Sequence, residues 1–201
     1  MLRGVALHLA RQAHIVSVMA RRQDELTKLE RDAVGVSGRI NPIACDYSDS
    51  TALRHAIDSS IATEGPFALV VAWTREAVPR AQGIIARLAN QAVEKSGATS
   101  CRFFRVLGSL AGDPARLRIG KDAEFKAEGT RTLEAAFHHT LDRIAYREII
   151  LGFRIEGGVS RWNTPEELQS GIIEAIERDL PESIVGVLTP WEMNPRSRAG
   201  A

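Results

Sequence analysis

The chain has 201 residues, which suffices for one domain with a full hydrophobic core. Its formal net charge of +1 gives no overall field for nucleic acid or an anionic membrane, and no apolar stretch is long enough to span a bilayer. Cys45 and Cys101 stand far apart and lack metal-ligand spacing, so we expect no disulfide scaffold, no metal site and a reducing, cytoplasmic setting.

The first half of the chain alternates between amphipathic and continuously apolar segments. A helix is predicted almost from Met1, because apolar side chains recur on one helical face as far as Ala13. Strands are then predicted at 14–20, 40–45 and 67–73, each followed by a helix, and Pro42 weakens the second of them. The strand 67–73 is apolar on both faces, as expected for the centre of a parallel sheet.

The second half continues this alternation. A helix is predicted at 81–92, a strand at 102–108, a polar loop at 112–129, helical spacing at 133–144 and a strand at 146–153. Thr164, Pro165 and Glu167 form a helix start with a capping box, and a last strand follows at 184–188. The order predicts one α/β domain over residues 1–201 with a doubly wound parallel sheet of the Rossmann type.

Short polar or basic motifs follow the predicted strands. They read Ala20-Arg21-Arg22, Cys45-Asp46-Tyr47, Ala72-Trp73-Thr74 and Gly108-Ser109-Leu110. This series resembles the short-chain dehydrogenase/reductase family, and the segments 151–153, 160–162 and 185–192 are similar to a small, uncharacterised bacterial subgroup of it. The resemblance covers nearly the whole chain and implies a protein that binds a nicotinamide dinucleotide.

The resemblance implies NADP as the cofactor. In the family a basic residue after the second strand reads the 2′-phosphate, a position that Arg21 and Arg22 occupy here, and the guanidinium fork suits that phosphate. Asp46, followed by Tyr47, stands where the family's Asp contacts adenine. The alternatives are two solvated arginines at a helix start, and an Asp46 that caps the next helix together with its neighbours.

The remaining strand ends depart from the family pattern. Ala72 and Trp73 replace an Asn-Ala-Gly stretch and are the expected cofactor contacts there. Ser109 matches the catalytic Ser by position, although it can equally be a turn residue before Gly112. Trp162 can cover a substrate or cofactor, or it can be a packing residue that fixes its loop.

The family's Tyr-x-x-x-Lys pair is absent. Tyr47 and Tyr146 are the only tyrosines, and neither has Lys four residues later. His138 and His139 are adjacent and therefore point in different directions on a helix, which makes them poor joint metal ligands. We therefore expect no Tyr/Lys-assisted carbonyl reduction and no metal.

The beginning of the chain also departs from the family, whose first strand and Gly-rich turn would precede Met1. A doubly wound domain normally starts with a strand, whereas this chain starts with the helix that should follow it. We therefore expect an N-terminally truncated form of the fold, with the first strand missing between the strands 14–20 and 67–73. NADP binding is then expected to require residues before Met1.

Three functions remain open from the sequence. The first is an atypical NADP(H)-dependent oxidoreductase that acts on an unknown small molecule. The second is a non-catalytic dinucleotide-binding or sensor protein, and the third is a chain that binds no cofactor. No nucleic-acid or membrane partner is expected, and a homo-oligomer is among the expectations.

Overall fold

The computed structural model describes residues 2–74, 79–112 and 140–198. The first part contains α1 (Arg3–Arg11), β1 (Ile15–Ala20), α2 (Gln23–Asp32), β2 (Arg39–Ala44), α3 (Ser50–Glu64), β3 (Leu69–Ala72), α4 (Pro79–Ser96) and β4 (Cys101–Leu107). A 3-10 turn, Ser109–Gly112, follows β4. The second part contains β5 (Ile144–Leu151), β6 (Phe153–Glu156), β7 (Val159–Trp162), α5 (Pro165–Arg178), β8 (Glu182–Val185), a 3-10 turn at Trp191–Met193, and α6 (Pro195–Arg198).

The main strands form two parallel sheets. β1 pairs with β2, and the larger sheet has the order β3-β4-β5-β8. Successive side chains of β3 point to opposite faces, where Val70 packs against the core beneath α4 and Val71 packs against the core beneath α5. Helices therefore cover both faces of a parallel sheet, which confirms the α/β, doubly wound arrangement.

Helices, rather than strand pairing, connect the two sheets. In α1, Val5 packs into the core of the larger sheet, whereas Leu7 and Ala10 pack into the core around β1 and β2. On the other face, Phe67 and Ile85 pack against both the α4–β4 cluster and the α3–β2 cluster. Within the described residues, no strand pairing joins β1 to β3. The core is therefore continuous although the hydrogen-bonded ladder is interrupted.

Pro42 lies inside β2 rather than limiting it. The amides of Arg39 and Cys45 donate to the carbonyls of His14 and Ala20, so the odd-numbered residues of β2 direct their backbone toward β1. The backbone nitrogen of Pro42 then faces the outer edge of the two-stranded sheet, where no ladder hydrogen bond is lost. A proline is tolerated here because β2 is an edge strand.

Several predicted boundaries are wrong in the second half. Leu141 lies in a turn and Ile144 begins β5, so the helical spacing expected to continue through 144 gives way to a strand. The last strand begins at Glu182 and ends at Val185, because Gly186 adopts a φ of 88° that turns the chain out of the sheet. The loop at 112–129 and His138 with His139 fall almost entirely outside the described residues.

Residues 160–162 do not form the expected loop. They belong to β7, which pairs with β6 in an antiparallel hairpin. Gly157 and Gly158 form its two-residue connection with φ values of 56° and 78°, the backbone that the twist of a tight hairpin requires. None of the described helices is long and apolar enough to cross a membrane.

Candidate functional site

A cavity of about 630 Å³ lies where β3, β4 and β5 end. Parallel strands bring their carboxyl ends to one edge of a sheet, which is the usual location of ligand sites in open α/β folds. The larger part of its wall is apolar, and the lining residues are Trp73, Gly108, Ser109, Leu110, Leu151, Gly152, Trp162, Asn163, Leu168, Pro195 and Arg196. Its position at this edge of the sheet makes the cavity the candidate site.

Ser109 lines this cavity at the beginning of the 3-10 turn after β4 and is 8% exposed. The sequence motif therefore placed this hydroxyl correctly at the end of its strand. The described lining residues include no carboxylate, histidine, lysine or tyrosine. Ser109 thus has no general base among them, and its hydroxyl can donate or accept a hydrogen bond to a ligand without proton relay.

The side chain of Trp162 lines the same cavity and is 46% exposed. It stands at the end of β7, directly after Arg161, whose guanidinium donates to both Glu156 and Glu167. The two contacts to Glu167 measure 2.8 and 2.9 Å. This bidentate ion pair fixes the hairpin to the first turn of α5, so the backbone that carries Trp162 is held in place beside the cavity.

The carboxylate of Glu167 has a second role as part of the helix cap. It accepts from the backbone amide of Thr164 at 2.8 Å, and the hydroxyl of Thr164 accepts from the amide of Glu167 at 3.2 Å. This reciprocal pair confirms the capping box predicted from the sequence. Hydrogen bonds from Arg161, and then from Thr164, lower the pKa of Glu167 to about 2.

Asn163 connects the β6–β7 hairpin to the end of β5. Its amide donates to the carbonyl of Gly152 at 2.8 Å, and its carbonyl oxygen accepts from Arg154 at 3.1 Å. A side chain on Gly152 would meet the Val187 carbonyl oxygen at 2.2 Å, so the segments that follow β5 and β8 approach too closely there for any other residue. The sequence analysis missed this junction, for which Gly152 and the Gly157-Gly158 hairpin turn were the available signals.

Arg21 and Arg22 directly follow β1, and both are exposed. Arg22 forms an ion pair of 3.3 Å with Glu25 and occupies the N-cap position of α2. Arg21 forms no ion pair with any described residue. The structure thus places one guanidinium that is available to an anion and one that shares its charge with a helix carboxylate.

Asp46 and Tyr47 lie between β2 and α3. Asp46 accepts from the amide and hydroxyl of Ser48 at 3.0 and 2.7 Å, forming an Asx turn. The cap of α3 itself is Asp49, which accepts from the amides of its first turn. Tyr47 packs against the cluster that includes Leu53. Asp46 is therefore engaged in local structure but remains exposed.

Ala72 and Trp73 separate in the structure. Ala72 is buried in the core beneath α4, whereas Trp73 packs on the opposite core and lines the cavity. A buried alanine leaves only its backbone for a ligand, so Trp73 is the side chain that this strand end contributes. Consecutive residues point to opposite faces, so only Trp73 presents its side chain to the cavity.

Tyr146 lies near the amino end of β5, away from the edge that carries the cavity. Its hydroxyl donates to Glu148, and the Arg105 guanidinium lies 3.4 Å from it. Burial, followed by the charge of Glu148, raises the pKa of Tyr146 above its ordinary value. The group is therefore a weaker acid than a free tyrosine, opposite to the requirement for a proton donor.

No group of metal-ligating side chains occurs among the described residues. No family model matches the chain, and no curated protein matches it. The fold, in contrast, is similar to many solved structures.

A metagenomic short-chain oxidoreductase in complex with NADP is 17% identical, covering 92% of this chain and 90% of that chain, with a TM-score of 0.65. The bulky-bulky ketone specific alcohol dehydrogenase from Comamonas testosteroni is 12% identical over 98% and 87%, with a TM-score of 0.66. An NADH-dependent reductase complexed with NAD is 13% identical over 92% and 89%, with a TM-score of 0.62. The chain therefore has the Rossmann-type fold of the short-chain dehydrogenase/reductases.

Proposed function

We propose that NADP(H) binds along the carboxyl edge of these strands, and titration of these 201 residues also tests whether binding requires residues before Met1. The observation that carries the proposal is that this fold supplies Arg21 and Arg22 at the end of β1 and a cavity of about 630 Å³ at the ends of β3, β4 and β5. A phosphorylated dinucleotide needs a cation for its 2′-phosphate and a partly apolar space for its ring. These two features fit the two ends of such a cofactor.

The adenine end of the proposed site combines Arg21 and Arg22 with Asp46 and Tyr47. Arg21, free of ion pairs among the described residues, offers a charge-assisted hydrogen bond to the phosphate. No acidic residue stands at the end of β1, where it would favour a ribose hydroxyl and repel a phosphate. Of the similar structures, some contain NADP and others NAD, so this phosphate-binding pair is the basis for proposing NADP(H).

The nicotinamide end of the proposed site lies in the cavity beside Trp73 and Ser109. The cofactor would supply hydride chemistry there, while Trp73 would pack on the bound ring and Ser109 would orient a polar atom of the ligand. Because Tyr146 is a weakened acid near the amino end of β5, we propose an oxidoreductase that works without the Tyr/Lys pair. The same observation supports a second candidate, a dinucleotide-binding protein without turnover.

Calorimetric titration with NADP⁺ and NAD⁺ tests the binding proposal. We expect NADP⁺ to bind at least about tenfold more tightly, since a hydrogen bond to a charged group contributes about 1.5–3 kcal/mol before solvent exposure weakens it. The double variant Arg21→Ala/Arg22→Ala should lose this preference. Arg11→Ala removes an exposed cation of α1 and should retain it. Equal affinity for the two cofactors contradicts the proposal.

Turnover distinguishes the two candidates. NADPH oxidation is followed with a panel of aldehydes and ketones in the unchanged chain, in Tyr146→Phe and in Tyr47→Phe. An oxidoreductase without the Tyr/Lys pair should retain its kcat in both variants, whereas the KM for NADPH can change in Tyr47→Phe because Tyr47 belongs to the adenine end of the proposed site. NADPH binding without turnover favours the non-catalytic candidate, and activity abolished by either substitution would show that a tyrosine is the proton donor.

A further inference from the structure

The cavity contains a single charged side chain among the described residues. Arg196 of α6 lines it, is exposed, and forms no ion pair within the described ranges. The same cavity is lined by two indoles, Trp73 and Trp162, and by leucines including Leu110 and Leu168. The site therefore combines an apolar, aromatic wall with a cation that no described carboxylate neutralises.

Each of these groups recognises a different part of a ligand. Indole rings bind flat or apolar bodies, and a guanidinium binds a carboxylate through two parallel hydrogen bonds. The described lining residues include no acidic side chain that would compete for Arg196 or repel an anion. Charge complementarity therefore favours an anion over a neutral or cationic ligand of the same shape.

We propose that this cavity binds a small apolar carboxylate, with its hydrocarbon part against Trp162 and Leu168 and its carboxylate on Arg196. The proposal rests on the function proposed above, because it names the class of compound that would lie beside the cofactor ring. Ser109, at the same wall and largely buried, would then hydrogen-bond an oxygen elsewhere on the ligand. The compound class is an oxo or hydroxy carboxylic acid with an apolar body.

The support behind Trp162 makes this site preorganised. Arg161 fixes the hairpin to α5 through Glu167, and Asn163 fixes the next residue to the end of β5. A side chain held in place loses little conformational entropy when a ligand binds, so more of the contact energy appears as affinity. Trp162 is thus suited to be a ligand contact although nearly half of its surface is exposed.

Calorimetry with a matched pair of probes tests this inference. 4-Phenylbutanoate and its neutral amide, 4-phenylbutanamide, share the same apolar body and differ in charge. We expect the acid to bind about tenfold more tightly than the amide, as for one partly exposed charge-assisted contact. The Arg196→Gln variant should bind the acid and the amide equally, and Arg196→Lys should keep part of the difference in affinity. The control variant Arg178→Gln removes an exposed cation of α5 and should keep the whole difference.

Trp162→Leu provides the second measurement, and it should weaken the acid and the amide equally because the indole contacts their common body. Thermal unfolding of each variant confirms that it is folded before titration. Equal binding of the two probes, or a preference for the acid that persists in Arg196→Gln, overturns the inference. Titration with NADP⁺ separates the two proposals. If NADP⁺ binds and the acid does not, only the assignment of the cavity is wrong. If the acid binds and NADP⁺ does not, only the assignment of the cofactor is wrong.

Discussion

The two-stranded sheet β1–β2 and the four-stranded sheet β3–β4–β5–β8 are built from similarly apolar segments but differ in burial. In β4, which has a neighbour on each side, Phe103 and Phe104 are almost fully buried. In β1 no residue is buried, and Ile15 is 50% exposed. Apolar composition thus identifies a strand, but paired neighbours and covering helices decide how completely that strand is removed from solvent.

The backbone shows the same contrast. The carbonyls of His14 and Ala20 accept from β2, so the even-numbered residues of β1 face that partner and the odd-numbered ones face away from it. Likewise, the carbonyl of Ala68 accepts from Arg102, so Leu69 and Val71 face away from β4. Among the described residues these outward groups of β1 and β3 have no strand partner. Strand β4, by comparison, is hydrogen-bonded on both sides.

Amide hydrogen exchange should show the largest difference between the sheets. Along β1 and β3 we expect protection to alternate, with Ser17 and Val71 exchanging at least about a hundredfold faster than Val18 and Val70, which corresponds to about 2.8 kcal/mol of opening free energy. Along β4 every amide should be protected. Exchange measured residue by residue by NMR tests this, and uniform protection along β1 and β3 would mean that both outer edges are paired.

A matched pair of core truncations measures the same contrast as stability. Val106→Ala in β4 removes two methyl groups from a side chain that is 2% exposed and should lower the free energy of unfolding by about 2–3 kcal/mol. Val18→Ala makes the same change in half-buried β1 and should cost about 1 kcal/mol. Chemical denaturation with an unchanged m-value provides both numbers. Equal losses would mean that β1 is as well packed as β4.

The helix caps are expected to have smaller effects. Asp49→Ala removes the cap of α3, which packs against the smaller sheet, and Thr164→Ala removes half of the capping box of α5, which packs against the larger one. Each should lower the free energy of unfolding by about 0.5–2 kcal/mol. Asp49→Asn and Thr164→Ser, which retain a capping oxygen, serve as controls. A loss in the controls as large as in the alanine variants would assign the effect to something other than the cap.

The smallest expected effect is the pH dependence contributed by Glu167. Its pKa is lowered to about 2 in the folded chain, below the value of about 4.3 expected after unfolding. The charged form therefore stabilises the fold above about pH 4.3, and this contribution is lost as the pH falls toward 2. Glu167→Gln retains a capping group but should lack this part of the acid dependence.

Denaturation midpoints between about pH 5 and 2 test this expectation, with Glu166→Gln as the neighbouring control. The carboxylate of Glu166 forms no ion pair with a described residue, so this variant should keep the acid dependence of the unchanged chain. An identical pH dependence in Glu167→Gln would contradict the assignment of this stability to the Arg161–Glu167 pair.

Local chemistry could be predicted from the sequence because its signals lie within a few residues. The capping box at Thr164 and Glu167, the alternation of helices with parallel strands, and Ser109 at the end of β4 all follow from short-range patterns. The hairpin turn at Gly157-Gly158 carried a signal of the same kind, which the sequence analysis did not use.

The tertiary structure alone decided which distant groups meet. Trp73, Trp162 and Arg196 come from three separate segments, and no periodicity in the sequence relates them, yet they line one cavity. The position of Trp162 likewise depends on a tertiary contact, because the Arg161 guanidinium of the hairpin donates to the Glu167 carboxylate of α5. The sequence determined where strands and helix caps form, because these depend on neighbouring residues. The packing of the two sheets and the residues that line the cavity depend instead on contacts between segments that are far apart in the chain.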